Sequence, residues 1–303
     1  MLDTGESKSN KSGYLERDFE FFHLKDNKGS QLDLHYHDFN KIIIFISGKV
    51  TYFIEGKSYR LKPWDILLVS SDEVHWPVID LSETYERMVI WVNSSFLAKH
   101  SSSESNLLTC FELAATQKLN LLRLGADRLK EIRAILAQFE PACKSSEFGS
   151  QILRNSLFLQ FIVHLNRLYT QLQDCNYAEN LEDDIAYDEQ IGAVLTYINE
   201  NLCGDLSIEG ISEAFYMSKY HLMHKFKSQT GYTIHNYILQ KRLLLANSRI
   251  KKGESVTSAC IECGFGDYSS FVRAFKKMFG LSPKKHYKKM QQLQEHNENR
   301  EHF

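Results

Sequence analysis

The chain has 303 residues, about twice what a single hydrophobic core ordinarily supports, so two folded domains are expected. With 43% hydrophobic and 24% charged residues it falls among globular proteins, outside the disordered and collagen-like classes. The net charge of -2 hides a split: from Gln190 onward 16 Lys and Arg stand against 10 Asp and Glu, and the rest carries 20 against 28, so a basic module suited to a polyanion is joined to an acidic one.

The opening MLDTGESKSNKSG is polar and lacks the apolar core of a secretory signal. Apolar runs such as Ile42 to Ile46 fall far short of the ~20 residues that cross a bilayer. A cytoplasmic protein with no membrane association is expected, and Cys110, Cys143, Cys175, Cys203, Cys260 and Cys263 should be reduced thiols.

From Glu20 to Val92, runs of β-branched and aromatic residues broken by turn dipeptides predict short antiparallel strands. Ser47-Gly48 and Glu55-Gly56 read as hairpin turns. About eight strands at this spacing predict a sandwich or small barrel over residues 1–95.

From Phe96 the apolar period becomes helical, and residues 96–180 are expected to form a helical dimerisation and linker region. Leu153, Leu157, Phe161, Leu165, Leu168 and Leu172 make one stripe on a helix. That stripe either packs on the barrel of its own chain or also forms a dimer seam. Acidic residues 181–189 read as a solvated linker, and 291–303 as a polar tail.

Residues 190–290 predict an all-α domain. Ser207, Thr233, Ser255, Asp267 and Ser282 are placed to cap helices, and Gly231, Gly253, Gly264 and Gly280 to end them. Two stretches repeat one layout of short helix, tight turn and basic second helix: Ser207 to Lys227, and Ser255 to Lys277. Both read as helix-turn-helix units. Leu222 with Phe226, and Phe271 with Phe275, give each second helix a core side. The opposite faces carry Lys219, Tyr220, Met223, His224 and Lys227 in one unit and Tyr268, Ser269, Ser270, Arg273 and Lys277 in the other. These ten are the candidate contacts to double-stranded DNA, first-turn residues for base edges and later lysines for phosphates. Cys260 and Cys263 have chelating spacing but no second pair, which favours a buried apolar role.

Residues 205–288, with GYTIHNYILQKRLLLANSRIKKG and CGFGDYSSFVRAFKKMFGLSPKKHY, resemble the DNA-binding domain of the AraC/XylS transcription regulators. The resemblance implies an asymmetric site read by two units of one monomer, and transcription control, commonly activation through RNA polymerase. The chain departs from the family at Tyr216, where a small residue is common in the first turn, and at Ser212 in place of a buried alanine. Met223 and His224 stand where more polar or basic groups are usual.

His35-Tyr36-His37, Pro63-Trp64-Asp65 and His75 look like parts of the cupin barrel that precedes this domain in many family members. His35 and His37, two apart on a strand, share a side and would face the interior with His75. Three readings of the trio stay open: hydrogen-bonding groups of a ligand pocket, structural histidines, or metal ligands. Metal-binding cupins carry a Glu just after the His pair; this chain has Asp38-Phe39-Asn40-Lys41 there, and Lys41 would repel a divalent cation. No metal and no cofactor is therefore expected. Tyr52, Trp64, Trp76 and Trp91 are either plain core or pocket walls of the kind sugar rings and flat ligands favour. The leading expectation is an α+β, non-enzymatic homodimeric regulator answering to a small-molecule effector. The alternatives are a constitutive regulator whose barrel only dimerises and a metal-dependent cupin enzyme fused to DNA-binding helices.

Overall fold

The computed structural model describes residue 15 and residues 17–26, 39–71, 73–80, 82–172, 181 and 184–288. The chain divides into two compact units, Leu15–Tyr187 and the part from Asp188 on.

In the first unit, strands β1 (Phe19–Asp26), β2 (Asn40–Ser47), β3 (Lys49–Ile54), β4 (Lys57–Arg60), β5 (Ile66–Val69), β6 (His75–Asp80) and β7 (Tyr85–Val92) follow in chain order. Helices α1 (Ser94–Lys99) and α2 (Thr109–Thr116), strand β8 (Leu121–Leu122), helices α3 (Ala126–Lys144) and α4 (Ser150–Leu172), and strand β9 (Ile185–Tyr187) complete it. One sheet has the order β1-β7-β2-β5-β8 and the other β6-β3-β4-β9, with every pairing antiparallel. Residues from both sheets meet in one core, Ile43, Phe45 and Tyr85 against Val50, Tyr52 and Tyr59, so the sheets face each other as a flattened barrel.

Strand β2 reads apolar throughout because both of its faces are covered. Ile43 and Phe45 point into the barrel, while Ile42 and Ile44 point outward against the helices. That outer layer is built from Phe96, Phe111, Phe139, Phe158 and Phe161, and each such ring contributes roughly 2–3 kcal/mol on burial. Phe19 stacks on Phe158 at 4.3 Å between ring centroids and ties the first strand to α4.

Two turns separate by their sterics. Glu55 and Gly56 both have positive φ (43° and 81°), as a type I′ turn requires, and close the β3–β4 hairpin. Ser47-Gly48 is not a hairpin: β2 and β3 lie in different sheets, and Gly48 is the corner between them. A Cβ at Gly48 would come within 2.9 Å of the Thr84 carbonyl oxygen.

The helix α4 stripe packs on its own chain through Leu157, Phe158, Phe161, Ile162, Leu165 and Tyr169. Leu153 is left exposed beside Ile152 and Phe148. Part of the acidic segment expected as a solvated linker belongs to the second sheet, since β9 pairs with β4. Asp184 is buried there, accepting from Lys62 Nζ at 2.5 Å and Arg123 Nη1 at 2.6 Å, and Arg123 also grips Asp65 at 2.7 Å.

The second unit contains α5 (Glu189–Glu200), α6 (Ile208–Ala214), α7 (Lys219–Thr230), α8 (Ile234–Lys251), α9 (Val256–Glu262) and α10 (Tyr268–Phe279); residues 283–288 are also helical. Ser207, Ser218, Thr233, Ser255 and Asp267 each accept a backbone N–H from the first turn of the helix they precede. Gly231 and Gly280, both at φ 75°, end α7 and α10.

Candidate functional site

The two helix-turn-helix units are one motif built twice. After α6 the chain turns through Tyr216, with the N–H of Met217 donating to the Ser212 carbonyl at 2.9 Å. After α9 it turns through Gly264, with Phe265 donating to Cys260 at 3.2 Å. Both close helix ends in the Schellman manner, which places one residue at positive φ: Tyr216 at 52° and Gly264 at 80°. Tyr216 is 99% exposed, so no packing repays its backbone strain. Gly264 is enforced sterically, because a Cβ would lie 2.8 Å from the Cys203 carbonyl oxygen and 2.9 Å from Arg242 Cζ.

Leu222 and Phe226 bury one side of α7, and Phe271, Phe275 and Phe279 one side of α10. The opposite faces expose Lys219, Tyr220, Met223, His224 and Lys227, and Tyr268, Ser269, Ser270, Arg273 and Lys277. Several of these have intramolecular partners: Lys219 Nζ lies 2.5 Å from Glu209, Tyr220 stacks on His224, and Arg273 Nη2 donates to Ser270 Oγ at 3.1 Å. Arg242 on α8 donates to the carbonyls of Leu202, Gly204 and Gly264 at 2.8, 2.6 and 2.7 Å, joining the spacer helix to the second turn.

Inside the barrel the alternation along β2 and β7 brings charge to an apolar place. Lys41 precedes Ile43 and Phe45 on the inner face, opposite Trp91 in the β2–β7 register. It is 6% exposed, and Arg87 is equally buried. Burial, reinforced by the positive charge of Arg87, pushes the Lys41 ammonium down to about 7. Lys41 Nζ lies 3.2 Å from His75 Nε2, and His75 Nδ1 lies 3.1 Å from the Glu73 carbonyl oxygen. A carbonyl only accepts, so Nδ1 carries a proton and Nε2 is the ring atom that faces Lys41. Arg87 donates to Asp26 at 2.7 Å and lies 4.2 Å over the Tyr85 ring. Tyr52 stacks with His75, and Trp91 packs between Phe22 and Phe39.

Two family models match the chain: an AraC-like ligand binding domain over residues 21–162 and a helix-turn-helix domain over residues 211–289. The chain belongs to the AraC family of transcription regulators. It is 24% identical over 255 residues to the HTH-type transcriptional activator RhaS of Enterobacter sp. (strain 638), covering 82% of this chain and 85% of that one. The RhaS of Escherichia coli O139:H28 is 24% identical over 256 residues with the same coverage. A probable AraC family regulator from Rhodopseudomonas palustris CGA009 is a solved structure 24% identical, covering 34% of this chain and 98% of that one at a TM-score of 0.32. The AraC-family chain is a DNA-binding regulator with a ligand-binding domain.

Of the barrel residues expected to meet a ligand in this AraC-family protein, the structure brings Tyr52, His75 and Trp91 to the inner face. His35 and His37 lie outside the described residues. Trp64 faces the helical layer instead, with the Arg133 guanidinium 4.5 Å over its ring, because its turn, at φ 73°, aims it outward. Trp76 stacks on Phe53 at 4.5 Å. Both ring nitrogens of His75 are engaged by Lys41 and the Glu73 carbonyl, which leaves neither to a metal. Among the described residues no three His, Cys, Asp or Glu sit together as metal ligands. Cys260 and Cys263 are buried, consistent with the apolar reading of their spacing. Arg87 and Tyr85 were not singled out by sequence, although their alternation with Met88 and Ile90 signals a second, inward face. No helix among the described residues is long and apolar enough to cross a membrane.

Proposed function

We propose that this AraC-family protein is an effector-controlled transcription activator, working in the cytoplasm as a homodimer and without catalysis of its own. The observation that carries the reading is the pair of capped helix-turn-helix units, each exposing a basic and polar face on a helix whose other side is buried phenylalanine or leucine. Helix α8, 18 residues and therefore about 27 Å long, is a spacer of the size that sets two such helices in successive major grooves.

In this reading, Tyr268, Ser269, Ser270 and Arg273 contact base edges from the first turns of α10. Lys219, Tyr220, Met223 and His224 do so from α7, while Lys227 and Lys277 hold phosphates. The name of the RhaS relatives supports activation, and RNA polymerase is the partner that activation requires. Ile152 and Leu153, exposed in the first turn of α4, and Phe148, exposed just before it, are the residues assigned to the dimer. Effector binding in the barrel shifts the balance between two arrangements of the protein, with a coupling of about 1–3 kcal/mol.

Selection of the full chain on randomised duplexes, followed by footprinting, tests this. The expected result is an asymmetric site with two protected major-groove segments about one duplex turn apart, and reporter transcription that depends on that site. Binding without sequence preference, or a site with one protected segment, would overturn the paired reading.

A further inference from the structure

Among the described residues, the interior of the barrel holds more positive charge than its carboxylates balance. Asp65, Glu73 and Asp184 are the buried carboxylates among the described residues. Each is engaged away from Lys41: Asp65 by Arg123 and the Lys62 N–H, Glu73 by the Ser70 N–H and the Asn120 amide, Asp184 by Lys62 and Arg123. Asp26 is taken by Arg87. Among the described residues Lys41 therefore has the His75 nitrogen but no carboxylate as partner, and a buried ammonium without a counter-charge is among the less favourable groups a protein interior can hold.

The same interior holds two hydrogen-bond donors that no described residue satisfies. Tyr85 Oη and Trp91 Nε1 are buried and have no hydrogen-bond partner, although buried polar groups are nearly always paired. Trp91 stands opposite Lys41 across β2 and β7, and the Tyr85 ring lies under Arg87. All four thus stand on one inner face, Lys41 across from Trp91 and Arg87 beside Tyr85 further along the same sheet. All four side chains come from strands that the sheet holds in fixed register, so the geometry is set before any ligand arrives.

We propose that the barrel of this protein binds a small organic anion, whose carboxylate or phosphate group answers the Lys41 and Arg87 charges, with Trp91 Nε1 on the Lys41 side and Tyr85 Oη on the Arg87 side as further donors to the ligand. This rests on the reading of the barrel as an effector sensor and names the class of effector. His75, whose Nε2 faces Lys41 Nζ at 3.2 Å, positions that side chain rather than competing for the anion. A neutral ligand such as an unmodified sugar would leave the ammonium unpaired, and is selected against on that ground.

The test uses the full chain and matched probes that differ in charge: hexanoate with hexanamide, phenylacetate with phenylacetamide, and phenyl phosphate with phenol, with a set of neutral sugars alongside. All three tryptophans lie in the first unit, so their fluorescence reports binding there. The expected result is binding by an anionic member of a pair and not by its neutral partner, the carboxylates and the phosphate ester telling the two sources apart. Lys41→Met should weaken that binding about 10- to 100-fold and Tyr85→Phe should weaken it several-fold, both leaving DNA affinity without probe unchanged. Lys41→Met removes a buried charge and is expected to fold, and Tyr85→Phe removes one orphan hydroxyl. Equal binding of charged and neutral partners, or binding confined to sugars, would overturn the anion proposal while leaving the sensor reading intact. Silence of every probe would remove both.

Discussion

Lys41→Met offers a quantitative handle on the barrel, because the burial of that ammonium leaves a signature in the pH dependence of stability. The folded protein holds Lys41 at about 7 against an ordinary 10.5, a difference worth about 5 kcal/mol at roughly 1.4 kcal/mol per pH unit. Between those values the unfolded chain binds a proton at Lys41 that the folded chain does not. Raising the pH therefore favours folding, by about 1.4 kcal/mol per unit, and the whole penalty is in force below pH ~7. Methionine has no such term and fills a similar volume.

The measurement is urea unfolding of both proteins from about pH 6.5 to about pH 9.5, followed by tryptophan emission. Trp64, Trp76 and Trp91 all lie in the first unit, which isolates its transition from that of the helical unit. Near pH 6.5 the variant should be the more stable by about 4 kcal/mol, and the gap should close by most of that amount near pH 9.5. Cys110 and Cys143, whose thiols burial pushes up, titrate alike in both proteins and cancel in the difference. Stability curves that stay parallel would show that Lys41 is charged and compensated throughout, and would refute the placement of an unpaired ammonium among these strands.

Three further predictions concern the DNA-binding unit. Arg273→Ala should weaken specific binding about 5- to 150-fold and relax discrimination at one base pair, whereas Lys277→Ala should weaken all duplexes alike and flatten the salt dependence; unchanged discrimination among site variants in Arg273→Ala would mean a backbone contact. Tyr216→Gly should stabilise the helical unit by about 1 kcal/mol, since glycine takes φ 52° freely and the exposed ring loses no packing; a lower midpoint by circular dichroism would contradict this. Gly264→Ala should destabilise the same unit by more than about 2 kcal/mol, because its Cβ would meet the Cys203 carbonyl oxygen at 2.8 Å as well as an unfavourable φ; a midpoint within error of wild type would show that the loop at Cys203 can retreat.

The helical unit was legible from sequence because its determinants are local. Ser207, Thr233, Ser255 and Asp267 cap helices as their spacing implied, and Phe271 and Phe275 four apart decided which side of α10 faces outward. Tyr216 stood out only through the family resemblance, whose turn commonly holds a small residue there, and the structure adds the reason, a φ of 52°. What sequence left out was Arg242, whose three carbonyl partners lie 22 to 40 residues away in the chain.

The barrel divides differently. Its antiparallel class and the β3–β4 turn followed from β-branched runs and Glu55-Gly56, but the period of two only sorts residues into two faces and does not say which face is interior. On β2 both faces are apolar, because helices cover one and the opposing sheet the other, so the pattern gave Lys41 no address. Ser47-Gly48 looked like a hairpin from its composition, and only the close approach of Thr84 shows it to be a corner between sheets. The sequence by itself determined a basic helical reader of DNA joined to an acidic β domain. The tertiary structure alone decided that Lys41, Arg87, Tyr85 and Trp91 share one inner face, because strand register joins residues up to about fifty positions apart and no local rule encodes it.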